Sequence, residues 1–237
     1  MRANGILGRV RYEAKSILAM HPWVAVPLAR RRGTGHGKVF NEHTDIVIEG
    51  FPRSANQFAI AALRFAHDGE LRIANRVHAP GHVIAAVEAG LPVLVLIREP
   101  EEAVLGWVVY KGDISVGQAL RAYRRFYGPL LPHRDRFVVA TFDQVTTDFG
   151  AVIHRLNRQF GTGFGEFEHT EENVRRIFGG MESYVGAHWP RGEVERIIGR
   201  PSSARRQLKD SLRPVYRSAR LRRARLKAES LYRAFAP

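Results

Sequence analysis

The 237-residue sequence predicts an α/β fold, a parallel central sheet flanked by helices with helical extensions at both ends. Three observations carry that expectation. Short apolar runs alternate with helix-period segments from Asp45 to Phe160. Every pair of neighbouring runs is separated by enough chain for a crossover helix rather than a hairpin turn. From Thr170 onward the pattern is helical only.

The elements follow in order. Ile6, Leu7, Val10, Ala14, Ile17 and Leu18 recur at helical spacing and predict an amphipathic first helix. "RRRGTGHGK" then reads as a flexible link, so residues 1–40 are expected to form an N-terminal extension to a domain over 41–237. "DIVIE" reads as a buried strand and 55–66 as a helix; "LRIANRV" is the second strand and 81–89 the next helix. "PVLVLI" is the clearest buried strand, and the helix after it, 100–110, starts on a proline whose missing N–H costs nothing there. A helix over 116–127, a strand "FVVATF" and a helix over 148–160 complete the alternation. Pro190, Pro201 and Pro214 are expected to break the helical C-terminal part, and Leu221, Ala224, Ala228, Leu231 and Phe235 give its last helix one apolar face.

Composition narrows the class. Hydrophobic residues make up 45% and charged residues 25%, as in ordinary globular proteins. No run of 18 apolar residues occurs, and Arg9, Arg11, Glu13 and Lys15 interrupt the apolar N-terminal stretch, so neither a spanning helix nor a signal peptide is expected. The chain has no cysteine, which excludes disulfides, thiolate metal sites and cysteine nucleophiles; a reducing, cytoplasmic setting fits. No convincing metal-ligand cluster is evident. The net charge of +14 belongs to the ends. Residues 1–40 carry eight Lys and Arg against Glu13, residues 200–237 twelve against Asp210 and Glu229, leaving about −3 in between. Such ends suit peripheral contact with an anionic membrane. Nucleic acid is the less expected partner, because the last helix keeps an apolar face for packing. A solvated arginine-rich surface accounts for the charge equally well.

The chemistry concentrates in "GFPRSAN" after the first strand. Helix N-termini at the carboxyl ends of parallel strands offer unpaired N–H groups and a positive dipole end to an anion. Gly50 is expected to take backbone angles closed to other residues, and Pro52 to stiffen the turn. Arg53 adds a guanidinium fork suited to phosphate or sulfate; Ser54 and Asn56 can donate to the same group. The Gly-Lys-Ser/Thr ending of a Walker A loop is missing. Helix capping by Ser54, with Arg53 merely on the surface, is the plain structural alternative.

"GFPRSANQF" resembles the 5′-phosphosulfate loop of the sulfotransferase family, usually Pro-Lys/Arg-Ser-Gly-Thr-Thr after a strand. Two more segments match in order: "RVHAP" is similar to the stretch holding the family's catalytic histidine, and "VLVLIREPEEAVLGWVVY" to its 3′-phosphate segment. "VVATFDQVTTDFGAVIHRLNRQFG" is a weaker match, and "RPSSARR" resembles the bacterial branch. The resemblance covers roughly Asp45 to the C-terminus. It implies a P-loop-NTPase-like sulfotransferase fold and transfer of a sulfuryl group from 3′-phosphoadenosine 5′-phosphosulfate to an acceptor hydroxyl, without a metal. It implies that Arg53, Ser54, Ala55, Asn56 and Gln57 hold the 5′-phosphosulfate end and that Arg98 binds the 3′-phosphate. His78 would be the general base, and Arg76, where the family often has lysine, would stabilise charge on the bridging oxygen. If 76 and 78 lie in an extended segment, their side chains share a face.

Three positions depart from the family's pattern. Ala55 replaces the loop glycine and Gln57 a threonine, while Gly106 stands where many members carry a serine that touches the 3′-phosphate. Arg200, Arg205 and Arg206 are candidates for the basic segment that closes this site. The acceptor, whether glycan, lipid-linked sugar or small molecule, is expected to bind near 111–116 and the helices over 170–200. Competing readings are a P-loop nucleotide kinase, which would want a Walker lysine and a magnesium ligand, and a basic membrane- or nucleic-acid-binding module.

Overall fold

A computed structural model describes residues 2–32, 38–188 and 203–236. Four short strands, β1 (Ile46–Gly50), β2 (Ile73–Asn75), β3 (Val93–Ile97) and β4 (Val138–Thr141), form one parallel sheet in the order β2-β1-β3-β4. They are mostly apolar and buried because both faces are covered; Glu49 in β1 and Asn75 in β2 are the buried polar residues among them. Val47, Val93, Val95 and Ile97 pack on α4 (Pro80–Glu88), α5 (Pro100–Lys111) and α6 (Val116–Tyr127). Ile46, Ile48, Leu94 and Leu96 pack on α3 (Asn56–Ala66), α7 (Phe142–Thr147), α8 (Phe149–Phe160) and α9 (Glu171–His188). The chain is therefore an α/β protein with helices on both sides of a parallel sheet.

The strand order reverses at β1. The connection through α3 leads to β2 on one side, and β3 returns on the other. The loops leaving β1 and β3 thus diverge around a crevice, the place where open α/β sheets bind ligands.

Both ends of the chain pack on this core. α1 (Arg2–Leu18) lies against α6 and α2 (Pro22–Arg32) against α4. α1 is docked by polar contacts. Glu13 accepts from Arg121 at 2.6 Å and from Arg125, and Arg125 also donates to Ser16 Oγ at 2.7 Å. Trp107 Nε1 donates to the Tyr12 hydroxyl at 2.8 Å. At the other end α10 (Ser203–Arg217) lies along α5, with α11 (Arg222–Phe235) closing the core through Ala228 and Phe235. Glu101 accepts from Arg213 and Arg217, and Glu102 from Lys209 and Arg213.

The structure departs from the sequence expectations in several elements. The segment 22–32 is a second N-terminal helix, with Pro27 inside it. Pro214 does not break α10, because the ion pairs of α5 grip Lys209 and Arg213 before it and Arg217 after it. β2 is confined to 73–75, since the backbone turns left-handed at Arg76, with φ 55°. Residues 33–37 of the link, Pro190, Arg200 and Pro201 lie outside the described residues. Among those described, no helix is long and apolar enough to cross a membrane.

Candidate functional site

β1 ends where it must pass close to β3. A Cβ on Gly50 would sit 2.6 Å from the Leu96 carbonyl oxygen, so only glycine fits. The need is spatial, not the special backbone angle expected from sequence, because Gly50 is not among the positive-φ glycines. The chain then turns sharply, with Arg53 at φ 73° and Ala55 at φ 67°. Ala55 thus adopts the left-handed conformation that glycine would occupy more cheaply, and does not follow the helix as its residue type suggests. It is the N-cap of α3 and makes no side-chain cap, so the first-turn N–H groups and the positive dipole end lie at this loop without a side-chain acceptor.

The side chains behind the loop hold its shape. Asn56 Nδ2 donates to the Phe51 carbonyl at 3.2 Å. Ser54 is fully buried beside the Tyr127 hydroxyl, which already accepts from Phe51 N at 3.2 Å and donates to Leu96 O at 2.7 Å. Ser54 Oγ is left without a well-directed partner. The Ser54 and Asn56 side chains are thus buried behind the loop, while Gln57 is half-buried at the next position.

Cations gather over this loop. Arg98, directly after β3, donates from Nη1 to the Arg53 carbonyl at 3.2 Å and lies 3.6 Å over the Phe142 ring, with Glu102 3.6 Å away. Burial holds its guanidinium below the usual range. Arg53 lies 5.8 Å over the Tyr110 ring. Burial, then Arg205 and Arg98, push its pKa down to about 10. Arg205 reaches in from α10 and is only 8% exposed, whereas Arg206 is exposed. Guanidiniums from three separate segments thus approach this loop, and Arg205 and Arg98 both act on Arg53. Gly106 lies beneath Arg53, its Cβ position 3.5 Å from the Arg53 Cβ and Cγ.

His78 sits at the other end of the same loop. Its Nδ1 is 2.8 Å from the Gly50 carbonyl oxygen. A carbonyl only accepts, so Nδ1 carries the proton and Nε2 keeps the lone pair a general base needs. Glu49, buried at the end of β1, accepts from the N–H groups of Val77 at 2.7 Å and His78 at 3.1 Å. His82 Nδ1 lies 3.2 Å from the same carboxylate. Burial lowers the His78 pKa, against the opposing pull of Glu49 and the Gly50 carbonyl. Arg76 Nε donates to Asn75 Oδ1 at 3.2 Å, and Arg76 also hydrogen-bonds Tyr184 of α9. Arg76 and His78 share a site but not an extended segment, since φ is 55° and 53° at the two residues.

Among the described residues, the non-glycine residues with positive φ are Arg53, Ala55, Arg76 and His78, all in this site. Left-handed backbone costs roughly 1–2 kcal/mol per residue and persists only where surrounding structure imposes it, most often at functional sites.

A cavity of about 520 Å³ opens in front of His78. Pro52, Arg76 and His78 line it from the sheet side, Tyr12 and Lys15 from α1, and Trp107 from α5. Its size suits a small organic ligand or one sugar-sized group. Lys111 and Asp113 also border it, and the N-terminal helices close it; of the helices expected over 170–200 to shape an acceptor pocket, 171–188 do not line this cavity and 189–200 lie outside the described residues. Sequence reasoning missed Glu49, although an acid inside so apolar a strand is a signal for a buried partner. Tyr110, Phe142 and the wall of α1 carry no comparable mark. Comparison of this chain with protein-family models, with curated proteins and with solved structures returns no match.

Proposed function

We propose that the protein is a sulfotransferase of P-loop-like fold, which moves a sulfuryl group from 3′-phosphoadenosine 5′-phosphosulfate to an acceptor hydroxyl. One observation carries the reading. Two carbonyls of a single loop, three residues apart, hold His78 and Arg98: Gly50 O accepts from His78 and Arg53 O from Arg98. An imidazole and a guanidinium are thereby fixed on one loop, an arrangement that supports sulfuryl or phosphoryl transfer. The missing Walker lysine favours the sulfuryl donor over Mg-ATP.

In this reading the N–H groups at the start of α3 and Arg53 hold the phosphosulfate, while Arg98 and Arg205 hold the 3′-phosphate. The donor supplies an activated sulfur–oxygen bond. His78 Nε2 takes the acceptor's proton as the acceptor oxygen attacks sulfur, and the bond to the phosphate oxygen breaks in line. Arg53 and Arg76 stabilise the charge that collects on the departing oxygen. The acceptor occupies the cavity between His78 and α1.

The test is thermal unfolding with adenosine 3′,5′-bisphosphate, against AMP, ADP and Mg-ATP. At 100 times its Kd a ligand adds about 2.7 kcal/mol. A rise specific to the bisphosphate, absent in Arg53→Ala and Arg98→Ala, supports the reading. A response to Mg-ATP alone overturns it in favour of phosphotransfer.

A further inference from the structure

α1 is amphipathic in sequence, yet it is mounted with its apolar face outward. The residues it turns to the core are Tyr12, Glu13 and Ser16, which dock by hydrogen bonds and ion pairs to Trp107, Arg121 and Arg125. Leu7, Val10, Ile17 and Leu18 are 69%, 60%, 42% and 43% exposed. At 100° per residue they fall, with exposed Ala14, within one face of the helix. Trp23, in the first turn of α2, is 77% exposed. Scattered surface leucines need no explanation, but a helix face of exposed apolar residues, followed by an exposed tryptophan in the next helix, does.

Charge identifies what covers this face. Arg11 and Lys15 flank it on α1, and Arg30 and Arg31 follow on α2; all four are exposed. Residues 1–40 are strongly positive overall, with eight Lys and Arg against one Glu. Glu13 itself is consumed by Arg121 and Arg125. A second copy meeting this face about a two-fold axis would set these cations against themselves. An anionic bilayer matches both parts, its headgroups taking the cations and its interface the apolar face and the tryptophan.

We propose that the outward face of α1, with Trp23, is a docking surface for anionic phospholipid membranes. It holds the protein at the interface plane without spanning it. The surface is separate from the donor chemistry and stands whether or not that reading holds. α1 and α2 also wall the cavity in front of His78, so docking brings that cavity to the lipid surface.

The test is sedimentation of the full chain with vesicles of phosphatidylcholine alone or mixed with phosphatidylglycerol. Binding is expected only with phosphatidylglycerol and should weaken with salt. Ile17→Gln and Trp23→Ser should each weaken it about tenfold, the loss of one buried apolar side chain. Arg11→Gln with Lys15→Gln should cost about 25-fold, at roughly fivefold per basic residue near the surface. Arg222→Gln with Arg223→Gln, exposed on α11, should bind as the parent does. Thermal midpoints should not move, since every substituted side chain is exposed and only Arg11 and Lys15 border the cavity. No binding to phosphatidylglycerol vesicles overturns the proposal, as does binding that survives Ile17→Gln and Trp23→Ser. A fall in midpoint would show the face packed within the protein, and a lipid-free dimer dissolved by the same substitutions would show a second copy on it; either result overturns the proposal.

Discussion

The Nδ1 of His78 lies 2.8 Å from the Gly50 carbonyl oxygen, which fixes the imidazole's tautomer and leaves the lone pair on Nε2. Under the proposed chemistry, His78→Ala should lower sulfuryl transfer by about 10²–10⁴. Stabilisation by adenosine 3′,5′-bisphosphate should persist in that variant, because the cations belong to Arg53 and Arg98. Equal loss of both would mean that the loop collapses without the ring.

The direction of the His78 pKa gives a separate pH prediction. Burial lowers it from the ordinary 6.5. The base form therefore survives below pH 6.5, and the acid limb of kcat/KM should fall below that value. The same shift affects stability with a definite sign. A histidine whose folded pKa is depressed binds fewer protons folded than unfolded. Its contribution is complete above pH 6.5 and is lost as pH falls below that value towards the folded pKa. A His78→Asn variant should lose that part of the acid sensitivity, read as the thermal midpoint between pH 7 and pH 5.

Ala55 holds a conformation suited to glycine, with φ 67° and ψ 17°. Ala55→Gly should raise stability by about 0.5–1 kcal/mol, the left-handed cost less glycine's extra entropy when unfolded. In a chain of this length that is a rise of about 1–4 °C in thermal midpoint. Ala55→Val should move it the other way, since a β-branched side chain tolerates this region worse.

How far the site was legible follows from what each residue does locally. Strands β1 and β3 show as apolar runs because they are buried on both faces, and the Arg53 loop shows because glycine, proline and serine punctuate it. Arg98 shows because it ends a strand of five buried residues. The short reach of β2 was hidden, since nothing in "LRIANRVH" marks the left-handed turns at Arg76 and His78 beside Glu49 of β1. Which of the C-terminal arginines meets Arg53 was also hidden. Arg205 and Arg206 are adjacent in sequence, and only the docking of α10 on Glu101 and Glu102 buries one and exposes the other. The direction of α1 was likewise unreadable, because an apolar stripe has the same period whether it faces the core or the outside.

Gly106 sits under the Arg53 side chain with room for more. A Cβ there meets the Arg53 Cβ and Cγ at 3.5 Å, ordinary van der Waals contact. Gly106→Ser should fold normally and gain slightly from better helix propensity. Under the proposed reading its hydroxyl reaches the donor's 3′-phosphate and strengthens bisphosphate binding by about 0.5–1.5 kcal/mol. Calorimetric titration of both proteins checks this, and unchanged affinity would place the 3′-phosphate away from α5.

The grip of α5 on the C-terminal helix should fail in acid. Burial alone would raise the Glu102 pKa, but Lys209, Arg98 and Arg213 overcome it and hold the carboxyl below its usual value. A depressed carboxylate contributes stability that is complete above its unfolded pKa, near 4.5, and lost as pH falls through the lower folded value. Because α10 carries Arg205 to Arg53, loosening it should weaken the proposed donor site before the sheet unfolds. Glu102→Gln should imitate acid at pH 7. The expected loss is about 1.5 kcal/mol, at the low end for bonds to charged groups because the Glu102 side chain is 26% exposed. Hydrogen exchange gives the decisive readout. Protection should fall in 203–217 while β1 and β3 keep theirs, whereas a uniform loss would mean that α10 is part of the global folding unit rather than a separately held clamp.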